Sequence, residues 1–317
     1  MMRRDRVIFR VEGNDIVGHG HFMRCLTMAK YLDAHFECLF AISSASAWVL
    51  AQLEQHNFGI QILSENEQFA PDDPKSEESW SWDLKGLLRE GDSLVLDGYR
   101  FDSSFHTEAQ SLQVKTIRVI DSLQHVPPCD AIITQLPLDH EEVRRVVEVH
   151  QVWTGLDGFI VRPEFNDLVG AHTEFEYDTF IYVTTQESWE FYQTFMDDLR
   201  EQSVLAITNR RFEALCKNVG WFPVKDVQAE ELAALMNSSQ IAVLPASTIG
   251  IEFLIATGRK PYVKPLATNQ QEAFHHMVEA GYWLDAPTEG ARIPTDVHTA
   301  PSLESFPALR FISWFND

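Results

Sequence analysis

Between Arg6 and Leu32 the chain reads strand, glycine-spaced turn, helix, and no other stretch limits its fold as tightly. Arg6-Val7-Ile8-Phe9-Arg10-Val11 alternates β-branched and aromatic residues with arginine, the period-2 signature of a strand. Phe22, Leu26, Ala29 and Tyr31-Leu32 then recur close to helical spacing with no helix breaker between them. The turn that joins the two is Val17-Gly18-His19-Gly20-His21. A helix that starts from such a turn directs free N–H groups and the positive end of its dipole at whatever lies above it, which favours an anion. Gly18 and Gly20 permit close backbone approach, and His21 stands at the mouth. An ordinary tight turn has the same local pattern, so the rest of the chain must decide between them.

At 317 residues, 45% of them hydrophobic and 11% aromatic, the chain is long and apolar enough for two domains with separate cores. Strand and helix patterns alternate along its first half. A strand at Phe36–Ile42 precedes a helix through Ala45–His56 and a short strand at Ile60–Leu63. Ser64–Glu78, rich in Asp, Glu, Pro and Ser, reads as a solvated surface loop. Strands follow at Ser93–Leu96 and Lys115–Ile120, and Ala131–Thr134 is expected to close a parallel sheet through right-handed crossovers. The mixed Glu and Arg run Glu141–Glu148 reads as a solvated helix face.

Cys25, Cys38, Cys129 and Cys216 are scattered, lack Cys-x-x-Cys spacing and lie in apolar surroundings, as reduced core thiols do. With no apolar h-region after Arg3, Arg4 and Arg6 and no membrane-length apolar window, a cytoplasmic protein without a membrane span is expected. A formal net charge of −22 argues against nucleic acid as a partner, which would need a basic face. It also means that any bound diphosphate must be held by local N–H groups and helix dipoles against a repulsive field. His19 and His21 have His-x-His spacing, but no carboxylate or cysteine set completes a metal site, so no metal and no cofactor are expected. Trp80, Trp82 and Trp189 could stack on bases or sugars, while core or surface packing is the ordinary role of such rings.

Gly18-His19-Gly20-His21-Phe22-Met23-Arg24-Cys25-Leu26 resembles the Gly-x-Gly-His-x-x-Arg-x-Leu stretch of the hydrolases that act on UDP-2,4-diacetamido-2,4,6-trideoxy-β-L-altropyranose in pseudaminic acid biosynthesis. Related spore-coat polysaccharide proteins carry a similar string. Further landmarks extend the resemblance over most of the chain. Val95-Leu96-Asp97-Gly98-Tyr99 matches a strand ending in aspartate, a variable residue and tyrosine, with Gly98 where many members have histidine. Val119-Ile120-Asp121-Ser122 with Pro128-Cys129-Asp130 matches a second. Gly155 to Phe165, which contains Val161-Arg162-Pro163-Glu164-Phe165, looks like the connector between the family's two domains. Arg162-Pro163 suits an extended or turning crossover, with the boundary expected near Asn166–His172.

The second half restarts with a strand at Thr179–Thr184, a helix from Glu187 to about Arg200 and a strand at Val204–Thr208. Thr184-Thr185-Gln186-Glu187-Ser188 stands where the family has a glycine pair. Ala229–Asn237 reads as helix and Ile241–Leu244 as strand. Pro245-Ala246-Ser247-Thr248-Ile249-Gly250-Ile251-Glu252 resembles the family's Gly-Gly-Ser-Thr-x-x-Glu, again without the glycines. There Ser247 and Thr248 either cap a helix or give hydroxyls to a diphosphate, and Glu252 is placed to accept from ribose hydroxyls. Lys260-Pro261-Tyr262-Val263, then Asn269-Gln270, resembles a strand followed by a helix-opening pair. The aromatic end Leu309–Phe315 is expected to pack back on a domain surface, or to serve a partner.

The resemblance implies an α/β chain of two Rossmann-like domains facing across a cleft, the GT-B-like architecture. The first domain, residues 1–168, would carry the histidine loop, and the second, residues 169–317, the nucleotide grip. It implies release of a deoxy-amino sugar from UDP by water attack at the anomeric carbon. His21, Tyr99 and Asn269 would be catalytic; Gly18, Gly20, Arg24, Asp97, Ser247, Thr248, Glu252 and Gln270 would bind substrate. A UDP-sugar or other nucleotide-sugar is the expected partner. A glycosyltransferase of the same architecture, or a non-catalytic sugar-nucleotide binder, are the alternatives.

Overall fold

The structure, a computed structural model, describes residues 5–13, 19–63, 82–123, 126–147, 149–165, 174–287, 292–293, 295–300 and 308–316. Gly18, Trp80, the acidic run Ser64–Glu78 and the expected boundary Asn166–His172 lie outside these residues. The chain divides into two compact units, Met1–Ile160 with Phe306–Asp317, and Val161–Ser305. The division thus falls before Arg162 rather than at residues 168–169, and the chain's last helix belongs to the first unit.

The first unit is built on β1 (Arg6–Val11), β2 (Glu37–Ile42), β3 (Gly59–Ile62), β4 (Ser93–Asp97), β5 (Lys115–Ile120), β6 (Ala131–Thr134) and β7 (Gln151–Trp153). They form one sheet in the order β3-β2-β1-β4-β5-β6-β7, with every pairing parallel. β7 extends the sheet beyond the strand expected to close it; three residues are too short to show a period in the sequence. Helices α1 (Gly20–Leu32), α2 (Ala47–Gln55), α3 (Ser104–Ser111) and α4 (His140–Val146) supply crossovers.

The alternation read in β1 explains its two arginines. Val7, Phe9 and Val11 enter one core with Phe22, Cys25 and Leu26 of α1. Ile8 enters the other with Leu94 and Phe105. Arg6 and Arg10 share that second face, and each is compensated there, Arg6 by Asp92 and Arg10 by Asp83 and Glu12. A buried guanidinium without such partners would cost several kcal/mol, so the acids are a condition of the strand.

The second unit contains β8 (Tyr177–Val183), α5 (Gln186–Gln193), α6 (Met196–Arg200), β9 (Val204–Thr208), α7 (Glu213–Asn218), β10 (Phe222–Val224), α8 (Ala229–Asn237), β11 (Ser239–Pro245), α9 (Thr248–Thr257), β12 (Tyr262–Lys264), α10 (Gln271–Glu279) and β13 (Leu284–Asp285). Its sheet has the order β10-β9-β8-β11-β12-β13 and is also parallel throughout. The single helix expected from Glu187 to Arg200 is two, α5 and α6, because the chain turns at Thr194 to send Phe195 into the core beside Tyr192 and Leu199. Finally α11 (Ala308–Asn316) returns to the first unit, where Phe311 and Phe315 join the core of β1 and α1.

Candidate functional site

In the first unit the strand order reverses at β1 and β4, the position where open α/β sheets hold ligands beyond the carboxyl ends of their strands. Here α1 begins at Gly20, and a Cβ on Gly20 would meet nothing within 4 Å. His21 is the second residue of α1 and only 9% exposed. Its Nδ1 lies 2.6 Å from Oδ1 of Asp97, the last residue of β4. Arg24, one turn on, reaches the same carboxylate through Nε at 3.1 Å and Nη2 at 2.7 Å. The far side of the guanidinium bonds Asp121, just past β5, through Nη1 and, at 3.1 Å, Nη2. Tyr99 donates its hydroxyl to Asp121 Oδ2 at 3.1 Å and packs edge-on against the His21 ring at 4.9 Å.

These contacts fix the histidine tautomer. Arg24 Nη2 lies 2.9 Å from His21 Nδ1, but a guanidinium has no acceptor, and its proton has Asp97 Oδ1 in reach. Nδ1 therefore carries hydrogen and donates to Asp97, leaving Nε2 as the basic atom. Burial disfavours a charged imidazole, yet the Asp97 carboxylate and its hydrogen bond outweigh that cost and Arg24's opposition, and raise the His21 pKa. Burial likewise opposes ionisation of Asp121, and the Arg24 guanidinium overcomes it, holding the acid below the ordinary carboxylate value. Arg24, held by two acids against the same burial, stays charged well beyond the ordinary range. Cys25 points its thiol at Asp97 from 3.9 Å; burial and that carboxylate push its pKa up, so it is an inert thiol.

His19 turns away from His21. Its Nε2 lies 3.1 Å from the Ser46 hydroxyl, and its ring packs on Trp48 at 4.7 Å. The two histidines of the His-x-His spacing thus serve different partners. The loop after β2 is held in place by Glu12, which accepts from the backbone N–H groups of Ser43 and Ser44. Trp82 packs against Phe105 and Trp189 against Phe212 and Trp221, the packing roles.

In the second unit α9 starts at the carboxyl end of β11, beside the strand-order reversal at β8 and β11. Ser247 is its N-cap residue in extended backbone, and its hydroxyl makes no cap bond, so the pure capping role does not account for it. Thr248 is the first helical residue. Glu252 is already engaged: Arg162 donates Nε to Oε1 at 2.8 Å and Nη2 to Oε2 at 2.9 Å. The expected connector arginine is thus tied to the acid expected to bind ribose. At the turn where glycines were missing, Thr185 and Ser188 form a capping box that closes the start of α5. The Leu266 N–H donates to the side-chain oxygen of Gln270 at 2.8 Å, a bond that braces its own turn. Asn269 lies in the 3-10 turn Thr268–Gln270, and its side chain is outside the described residues.

The structure therefore brings together His21, Arg24, Asp97 and Tyr99 in one unit, while Ser247, Thr248, Glu252 and Gln270 belong to the other. Asp121 was legible as a strand-end acid, but its place in the site was not. The signal is positional, an acid just past the strand that pairs with β4. Elsewhere in the first unit, a cavity of about 660 Å³ lined by His106, Cys129, Asp130 and His150 lies by the amino ends of β6 and β7, away from this site.

No protein-family model and no curated protein sequence matches the chain. Solved structures do. UGT2 of Phytolacca americana, complexed with UDP-2fluoro-glucose and pterostilbene, is similar over 93% of this chain and 88% of its own, with a TM-score of 0.56 and 10% identity. UGT89C1 of Arabidopsis thaliana, complexed with UDP-L-rhamnose, is similar over 100% and 90%, with a TM-score of 0.55 and 12% identity. MurG of Acinetobacter baumannii is similar over 89% and 85%, with a TM-score of 0.53 and 11% identity. Identities this low speak to the fold, and with the two parallel sheets they establish it: the chain has the GT-B fold, two Rossmann-like α/β domains in succession.

Proposed function

We propose that the chain is a nucleotide-sugar-dependent enzyme in which His21 Nε2 is the general base, and that its reaction is transfer of the sugar to an acceptor hydroxyl. The observation that carries this is the buried Asp97–His21 pair at the β1/β4 reversal, with Nδ1 committed to the carboxylate. Such a pair orients an imidazole and stabilises its charged form while the proton is held. Nε2 takes the acceptor's proton as its oxygen bonds to the anomeric carbon. The bond from that carbon to the diphosphate breaks, and the leaving group departs with the electron pair. The N-terminal end of α9, with the hydroxyls of Ser247 and Thr248, suits the stabilisation of that charge. Solved structures bound to UDP-linked sugars support a UDP-sugar as donor.

A second reading is hydrolysis, with water in place of the acceptor. It is favoured by the strings Gly18–Leu26 and Gly155–Phe165, which resemble the UDP-sugar hydrolases of pseudaminic acid biosynthesis. The test is nucleotide release from UDP-, GDP- and CMP-linked sugars, with and without a panel of sugar, phenolic and polyprenyl acceptors, alongside His21→Ala. Release only with acceptor, abolished by His21→Ala, supports transfer; release without acceptor supports hydrolysis. Donor binding with no turnover under either condition would sink both and leave a binder.

A further inference from the structure

Arg24 divides its guanidinium between two carboxylates, and one of them is the partner of His21. That division matters because Asp97 cannot serve both neighbours fully. A carboxylate that gives its charge to a bidentate arginine has less to offer an imidazole. Asp97 Oδ1 accepts from both His21 Nδ1 and Arg24 Nη2, while Oδ2 takes Arg24 Nε. Alone, Arg24 and Asp97 would form a neutral pair, and His21 would face almost no net charge. Asp121 changes the sum. With it the cluster is two acids and one cation, so one negative charge is left for a protonated imidazole to neutralise.

We propose that Asp121 is a positioning residue that shares the Arg24 guanidinium with Asp97 and, by supplying the second negative charge, sets how strongly His21 retains its proton. Among the described residues the groups that face His21 are Asp97 at the end of β4, Arg24 on α1, Asp121 after β5 and Tyr99 after β4, with Cys25 touching Asp97 from behind. Asp121 favours the charged imidazole directly, and by drawing on the guanidinium charge that opposes His21 it acts in the same sense through Arg24. Tyr99, 37% exposed, donates to Asp121 and so lies where a bound ligand would reach the network from solvent. The consequence for catalysis rests on the reading of His21 as base; the charge relation is a property of the protein without substrate.

The experiment follows the His21 ring by NMR titration in the full-length protein, with the resonance assigned by its loss in His21→Gln. Asp121→Asn is expected to displace the His21 midpoint downward, and Asp121→Glu, which restores the charge, to bring it back toward wild type. A midpoint that stays or rises in Asp121→Asn, or that falls equally in Asp121→Glu, overturns the proposal. Should Asp121→Asn fail to fold, the wild-type protein still decides. The Asp121 side-chain carbon is expected to show an inflection at the His21 midpoint, since coupled groups titrate as a set, and a flat trace there refutes the coupling. Where donor turnover is found, the acid limb of kcat/KM moves with the midpoint. If no donor is turned over, the proposed function fails while the titration still reads this inference.

Discussion

Two acids, opposed by one cation, hold the proton on His21, and the sign of their combined effect has measurable consequences. The His21 pKa is raised above its ordinary 6.5, burial opposing and Asp97 prevailing. A base must be neutral to act, so kcat/KM is expected to climb with pH on a limb centred above 6.5, seen in a profile from pH 5 to 9. The same shift acts on stability in the opposite sense. The folded state binds the proton more tightly than the unfolded chain, so the pairing contributes fully below the unfolded histidine value and is lost as pH rises through the folded one. Denaturant titration should show that decline in the wild type and not in His21→Gln. Asp97→Asn removes the carboxylate that selects the tautomer; kcat is expected to fall by about 10²–10⁴ with donor affinity nearly kept, measured by initial rates against donor concentration. An unchanged kcat would remove Asp97 from the mechanism. His21 could be picked out from its place at the turn, and Arg24, Asp97 and Tyr99 from the strings that carry the family resemblance. What joins them could not, because Arg24 meets Asp97 and Asp121 across 73 and 97 residues of chain.

Glycine spacing separates at the level of elements into positions that serve the fold and one that leaves room for a ligand. In the 3-10 turn Gly155–Gly158, Gly155 has φ +58° and a Cβ on Gly158 would lie 1.9 Å from the Thr134 carbonyl oxygen. That oxygen belongs to the end of β6 and cannot yield. Gly158→Ala is therefore expected to cost more than about 3 kcal/mol in denaturant unfolding, above ordinary overpacking. Gly20→Ala meets open space and should change stability by less than about 0.5 kcal/mol, while weakening any ligand that approaches the turn backbone. Equal losses of stability at the two sites would refute the distinction. β1 was legible because its β-branched and aromatic residues alternate with arginine at the period of a strand. α7, β7 and β10, of 6, 3 and 3 residues, are too brief for a period to show. The break between α5 and α6 depends on where Phe195 packs, which is tertiary information absent from local sequence.

Taken whole, the molecule has two sheets with separate cores, and its connectivity ties the chain's end to its beginning. Residues 1–168 and 169–317 were a natural sequence division, since a fresh strand–helix alternation starts after the Arg162–Phe165 connector. Contacts place the division at Ile160/Val161 and add the C-terminal helix to the first unit. That helix is held by more than apolar contact. Trp153 packs edge-on against Phe311 and Trp314, both at 5.6 Å, Lys115 donates to the Trp314 carbonyl at 3.3 Å, and Arg310 meets Asp157 at 3.1 Å. Phe311 and Phe315 are buried in the same core as Val7, Phe9 and Phe22, the residues that fix β1 against α1. Removing residues 308–317 therefore exposes two phenylalanine sites in that core. At about 1.5–3 kcal/mol for each buried side chain, the first unit is expected to lose roughly 3–6 kcal/mol, a large share of a domain's stability. The second unit, which makes no part of that core, should keep its own. Hydrogen exchange resolved by segment reads the two separately. Protection of β1 and β4 should collapse in the truncated chain while that of β8 and β11 persists, and with it the alignment of His21 against Asp97. If β8 and β11 lost protection to the same degree, the two units would be one cooperative body and the C-terminal helix a support for both.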